Sequence, residues 1–183
     1  MKLWFAVLAL AVCGSAAAAP NDANALLGRA EVQATHAQKN VIVIFHASWC
    51  GWCHKLAQFL TSDDFQPIFS KNYVIVHIDV QENGSKVSEE TPGGEDLSKK
   101  LGADTQGLPF FVILDAGGNP IMDSRNPKSL DAKGHPKNIG FPSEPGEVDY
   151  FMSILRKTGR RFTDADLTKV ETYLRTKKST APK

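Results

Sequence analysis

Cysteine is scarce in this chain: there are three in 183 residues, and Cys13 lies in an apolar leader. That leaves Cys50 and Cys53, too few for the disulfide framework that staples small secreted domains. A pair separated by two residues closes too small a loop to stabilise much by chain entropy, so it is read as chemistry. Long apolar runs are missing too. Leu3 to Val12 spans 10 residues, against the roughly 20 needed to cross a bilayer. There is no excess of either charge, with 21 Lys and Arg against 20 Asp and Glu. Electrostatically driven binding of nucleic acid or an anionic membrane is therefore not expected, and the basic tail (Arg175, Lys177, Lys178, Lys183) reads as a solvated end. No second Cys-x-x-Cys, no His-x-x-x-His and no internal repeat accompany the pair.

The leader has the pattern of a secretory signal peptide: Lys2, the short apolar run, then Gly14-Ser15-Ala16-Ala17-Ala18-Ala19, with cleavage expected after Ala18 or Ala19. A membrane anchor and a lipoprotein are the rivals. The first needs a longer apolar run, and the second would use Leu10-Ala11-Val12-Cys13, where Val12 is bulky. Residues 1–19 are thus the expected signal peptide, 20–178 a single domain and 179–183 a flexible tail. The mature protein is expected to be periplasmic or secreted.

Trp49-Cys50-Gly51-Trp52-Cys53-His54 organises the rest. Before it, Asn40 to Ala47 is a continuous apolar, β-branched run, the mark of a buried parallel strand. After it, Lys55 to Leu60 are good helix formers, with Cys53, Leu56, Ala57 and Leu60 on one face. Cys50 therefore falls at a helix N-terminus, where free N–H groups and the macrodipole favour a thiolate, the nucleophilic form. The spacing is expected to expose Cys50 and tuck Cys53 beneath it. Trp49 is expected to be structural and Trp52 exposed, and either can floor a groove. His54 can help the thiolate electrostatically or simply be a solvated helix residue.

Along the chain, Asn21 or Asp22 can cap a helix to about Gln38, with Leu27, Ala30, Ala34 and Ala37 inward. Ser62-Asp63-Asp64 offers a cap for a helix holding Phe65, Ile68 and Phe69. Tyr73 to Val80 is a second buried strand, completing a βαβ unit with a parallel pair. Gln81 to Gly94 reads as loop and Glu95 to Leu101 as a short helix. Phe110 to Asp115 and Ile121-Met122 flank the Ala116-Gly117-Gly118-Asn119 turn of a β-hairpin. Asp123 to Gly146 carries four prolines and is assigned to loop, with at most a short strand at Ile139-Gly140-Phe141. Val148, Phe151, Met152 and Leu155 keep helical spacing, and Thr163 with Asp166 can cap a last helix bearing Leu167, Val170 and Leu174.

These residues resemble the thioredoxin superfamily, most closely its exported bacterial thioredoxin-like (thiol:disulfide interchange) members, over about residues 25 to 160. The carriers are the Trp-Cys-x-x-Cys after a buried strand, the βαβ unit, and Leu108-Pro109 opening a hairpin. The resemblance implies an α/β thioredoxin-like fold: a central mixed β-sheet flanked by α-helices, here with loop insertions and an extra C-terminal helix. It implies that Cys50 is the nucleophile and Cys53 the resolving thiol. It further implies that Pro109 is the family's cis-proline, and that Trp49, Gly51, Trp52 and Leu108 border the substrate site. No cofactor is implied. The partners would be proteins with disulfides or thiols and a separate redox partner, and the chain would act as a monomer. The family's buried Asp and its Lys partner are replaced by Ile44 and Ile75. His46 and His77, two residues beyond them on the same strand faces, are candidate substitutes or structural histidines. Gln81 to Gly94 and Asp123 to Asn138 look like insertions.

Three rival readings remain. Cys50-Gly51-Trp52-Cys53-His54 also spells the c-type haem attachment signature, but such domains are helical and need an axial ligand. Zinc could be held by the cysteines with His46, His54 or His77. A redox-inert binding module would not need two intact cysteines.

Overall fold

The computed structural model describes residues 21–176. The leader, its cleavage site and the end of the tail lie outside the described residues. Helix α1 (Ala23–Ala37) is capped by Asp22, whose carboxylate accepts the Asn24 N–H at 2.9 Å, and it ends where Gln38 turns left-handed. Ala23, Leu27, Ala30 and Ala34 are its buried stripe, whereas Ala37 is only half-buried.

Strand β1 (Asn40–His46) is buried along all but its last residue. Helices α2 (Gly51–Thr61) and α3 (Gln66–Ser70) return the chain to β2 (Tyr73–Asp79), which pairs in parallel with β1 from Asn40↔Tyr73 to His46↔Asp79. After helix α4 (Gly94–Lys100), β3 (Phe110–Leu114) lies antiparallel on the other side of β1 and turns into β4 (Pro120–Asp123). The sheet order is β2-β1-β3-β4, a mixed sheet.

Strand alternation divides the core into two layers. Val41, Val43 and Phe45, with Val76, Ile78 and Val112, pack against α1 and α4. Ile42, Ile44, Phe111 and Ile113 pack against α2, α5 (Pro145–Thr158) and α6 (Asp164–Thr176). The additional last helix is part of this core: Tyr173 of α6 stacks on Phe59 of α2 with centroids 5.2 Å apart. Thr163 and Asp166 exchange backbone bonds of 3.0 and 3.1 Å at its start. Arg175, read as part of a solvated tail, instead ties α6 to α5 through Asp149, besides Glu171. No helix among the described residues is long and apolar enough to cross a membrane.

Three further sequence expectations need correction. Helix α3 starts from Phe65 with no side-chain cap, so Ser62-Asp63-Asp64 is a turn and Pro67 sets the start. The 81–94 stretch contains a 3-10 helix, Gly84–Glu89. Most consequentially, the 123–146 stretch is not loop. It holds β5 (Arg125–Leu130) and β6 (Pro136–Asn138), an antiparallel pair of their own, and Ile139-Gly140-Phe141 lies just beyond it. The turn is built by Asp131, whose Oδ1 accepts the Lys133 and His135 N–H groups at 2.8 and 2.9 Å. Both strands of a two-stranded ribbon are edges, so Pro127 and Pro136 are tolerated.

Candidate active site

Strand β1 ends at His46, and Ala47 to Trp49 turn into α2. Cys50 is the N-cap, with φ −84° and ψ 99°. Its Sγ accepts the Cys53 N–H at 3.1 Å and its carbonyl accepts the His54 N–H at 3.2 Å. Cys50 and Cys53 are joined in a disulfide. The helix-start position does not leave Cys50 open in this state: it is 5% exposed and Cys53 4%, enclosed with Ala47, Trp52 and Leu108. The expected contrast of exposed Cys50 over buried Cys53 is thus absent from the disulfide form, because the bond draws both sulfurs into one apolar contact.

The turn before the cysteines is held by the residues that follow β2. Glu82 accepts the Ser48 N–H at 2.5 Å and the Ser48 hydroxyl at 2.7 Å, and its own N–H donates to Glu90 at 2.8 Å. The two Ser48 bonds hold the Glu82 carboxyl below its usual range. Trp49 Nε1 donates to the Gln81 carbonyl at 2.7 Å. His54 Nε2 lies 2.8 Å from the Ser48 carbonyl, fixing the same turn from the helix side. Sequence reasoning missed Gln81 and Glu82. The available signal was topological: parallel neighbours β1 and β2 end at the same edge of the sheet, so the residues after each must meet.

The two tryptophans have exchanged the environments expected of them. Trp49 is half exposed, at 52%, and anchored only at its edge. Trp52 is half-buried, stacks on Phe141 at 6.2 Å and lies under the Lys55 ammonium at 4.7 Å. Trp52 occupies the inner side of α2, which the Cys53-based stripe did not reveal because Phe141 arrives from far along the chain.

The Leu108–Pro109 peptide bond is cis. Leu108 packs against the two cysteines. Together with Trp52, Arg125, Asn138 and Phe141, this dipeptide borders an open groove of about 870 Å³ whose outer wall is the β5–β6 hairpin. Gly51 opens α2 beside the disulfide and is half-buried.

Ile44 occupies a dry position, 2% exposed, in the layer beneath α2. His46 and His77 meet edge to face, 5.1 Å apart. Burial lowers the pKa of each, and each has Asp79 opposing the shift. His46 Nε2 lies 3.3 Å from Asp79 Oδ1 but without hydrogen-bond alignment, so that nitrogen is buried and unpaired. Among the described residues, no group of three or more His, Cys, Asp or Glu side chains is placed to hold a metal ion.

A Cys-x-x-Cys disulfide at the start of a helix, following a central parallel strand and facing a cis X-Pro turn, gives the site the form of a dithiol–disulfide pair. The chain matches the thioredoxin-like family model over residues 23–116, and it belongs to that family. It is 27% identical over 92 residues to the thiol:disulfide interchange protein DsbD of Vibrio vulnificus strain CMCP6, and equally so to that of strain YJ016. The match takes in 50% of this chain, which spans only 14% of the length of those relatives. Among solved structures, a disulphide isomerase from Xylella fastidiosa Temecula1 aligns with a TM-score of 0.48 and 19% identity, over 91% of this chain and 98% of that one. A DsbH oxidoreductase aligns with a TM-score of 0.45 and 20% identity, over 84% and 93%. Family and Cys-x-x-Cys disulfide together support a thiol:disulfide oxidoreductase.

Proposed function

We propose that the chain is an exported thiol:disulfide oxidoreductase that reduces or exchanges disulfides in proteins through Cys50 and Cys53. The observation that carries this reading is the Cys53 N–H directed at Cys50 Sγ, on the floor beside Leu108-Pro109. In the reduced protein that N–H stabilises negative charge on Cys50. The Cys50 thiolate attacks one sulfur of a substrate disulfide, forming a mixed disulfide and releasing the other substrate sulfur as thiolate. The Cys53 thiolate then attacks Cys50 Sγ, and the second substrate sulfur leaves. The substrate gains two electrons and the protein becomes the disulfide seen here. A separate dithiol partner restores the pair in the reducing direction.

In this reading Cys50 is the nucleophile, Cys53 resolves, and Trp52, Leu108 and Pro109 border the substrate, with Trp49, Gly51 and His54 fixing the approach to Cys50. The protein acts as a monomer in the periplasm or outside the cell, after removal of residues 1–19. The test is reduction of protein disulfides by the mature chain with a small dithiol as donor. Turnover by wild type and none by Cys50→Ser is the expected result; undiminished turnover by Cys50→Ser sinks the assignment.

A further inference from the structure

The β5–β6 hairpin is joined to the X-Pro turn through one side chain. Asn138, the last residue of β6, donates both amide protons of Nδ2, one to the Gly107 carbonyl at 2.5 Å and one to the Pro109 carbonyl at 3.0 Å. Its Oδ1 accepts the Gly140 N–H at 3.0 Å. Every one of these groups is used, which fixes the orientation of the amide. The two accepting carbonyls flank Leu108, whose side chain packs on Cys50 and Cys53.

The hairpin can serve as an anchor because it is itself held. The Ile139 N–H donates to the Ser124 carbonyl at 2.9 Å, and Ser124 Oγ accepts the Phe111 N–H at 3.2 Å. Arg125 lies over the Phe110 ring at 5.7 Å. Gly140, at φ +52°, supplies the left-handed turn that lays the chain in contact with the Pro109 ring.

We propose that Asn138 is a positioning residue for capture of protein substrates: it clamps the backbone on both sides of Leu108 and thereby sets the wall against which an extended polypeptide aligns its disulfide with Cys50. The proposal rests on the redox reading above. A small disulfide needs only access to sulfur, whereas a polypeptide must also lie along the 107–109 backbone, so loss of the clamp acts on the second and spares the first.

The experiment compares wild type, Asn138→Ala and Asn138→Asp on a protein disulfide and on a small aromatic disulfide. The aspartate keeps the shape and the acceptor for Gly140 but donates to neither carbonyl. Both variants are expected to raise KM for the protein substrate about tenfold, the effect of about one lost hydrogen-bond network, with kcat and small-disulfide turnover unchanged. The Asn138→Ala protein should also keep the wild-type Cys50/Cys53 potential, which shows that the site itself is intact. An unchanged KM in both variants, or an equal loss on the two substrates, overturns the proposal. A wild-type protein inert toward both disulfides overturns the redox reading beneath it, whereas one active on the protein disulfide alone overturns only the proposal, so the two failures are distinct.

Discussion

The Cys53 N–H points at Cys50 Sγ across 3.1 Å, so the sulfur of the N-cap residue takes the place that a Ser or Asp oxygen takes at other helix starts. Nothing equivalent is directed at Cys53 Sγ among the described hydrogen bonds. In the reduced protein Cys50 should therefore alkylate faster than Cys53, on the order of tenfold, as expected for one charge-assisted hydrogen bond. Mass spectrometry after brief alkylation reads the two sites separately. Equal rates would show that the cap does not activate Cys50. Cys53→Ser should accumulate mixed disulfides with protein substrates, since the captured chain then has no resolving thiol.

Trp52 and Trp49 flank the pair but differ in what they touch. Trp52 lines the groove and rests on Phe141, while Trp49 is held outside it by the Gln81 carbonyl. Trp52→Ala should raise KM for protein disulfides by roughly tenfold, the loss of one buried aromatic contact. Trp49→Phe should change it less than about threefold, because it removes only one half-exposed hydrogen bond. The reverse ranking in steady-state kinetics would place the substrate on the Trp49 side.

What could be read from the sequence was what local chemistry decides. The run Val41 to Phe45 is continuous and apolar because β1 lies inside the sheet and is covered on both faces, whereas Tyr73 to Asp79 forms the edge strand β2, where only Tyr73, Val76 and Ile78 are buried. The Cys-x-x-Cys could be placed at a helix start because the strand before it and the helix formers after it leave little room for anything else. The clamp from Asn138 could not be read, since it joins residues 29 and 31 apart in sequence. It is carried by a hairpin whose Pro127 and Pro136 argue against strand wherever both edges are paired. Glu82 was equally hidden: a glutamate in a polar loop becomes the brace of Ser48 only once β1 and β2 are known to end together.

The layer that joins α2 to the last helix is aromatic. Phe59 touches Phe65 at 4.7 Å, Phe69 at 5.3 Å and Tyr173 at 5.2 Å, and is 2% exposed. Phe59→Ala should cost about 3–5 kcal/mol, transfer and cavity together. By contrast Tyr73→Phe removes one buried hydroxyl, 2.7 Å from Thr158 Oγ1, which still donates to the Ile154 carbonyl. That change should cost about 1 kcal/mol. Urea denaturation at neutral pH separates the two, and a Phe59→Ala cost as small as that of Tyr73→Phe would mean that α6 is not part of the cooperative unit.

The histidine pair sets a pH dependence whose sign follows from burial. His46 and His77 both have pKa values below the 6.5 of the exposed side chain, chiefly because burial disfavours their charged forms. The charges around them are Asp79 and Glu82, which oppose the shift at His46, His54, which adds to it, and Asp79 and His46 acting on His77. The unfolded chain therefore binds more protons than the folded one as pH falls through 6.5, and stability rises with pH wherever that holds. The contribution is fully present above the unfolded value and is lost as pH falls from there toward the lowered folded values. The carboxylates act elsewhere. Glu82, Asp115, Asp131 and Asp166 are held below their ordinary values by hydrogen bonds, so their stabilisation is lost only in a more acidic window, below about pH 4.5. Urea midpoints should accordingly fall between about pH 7.5 and pH 5.5, and His77→Gln should flatten that slope while leaving the acidic loss in place. A midpoint constant across the upper window would mean that the pair protonates as readily in the folded protein as in the unfolded chain.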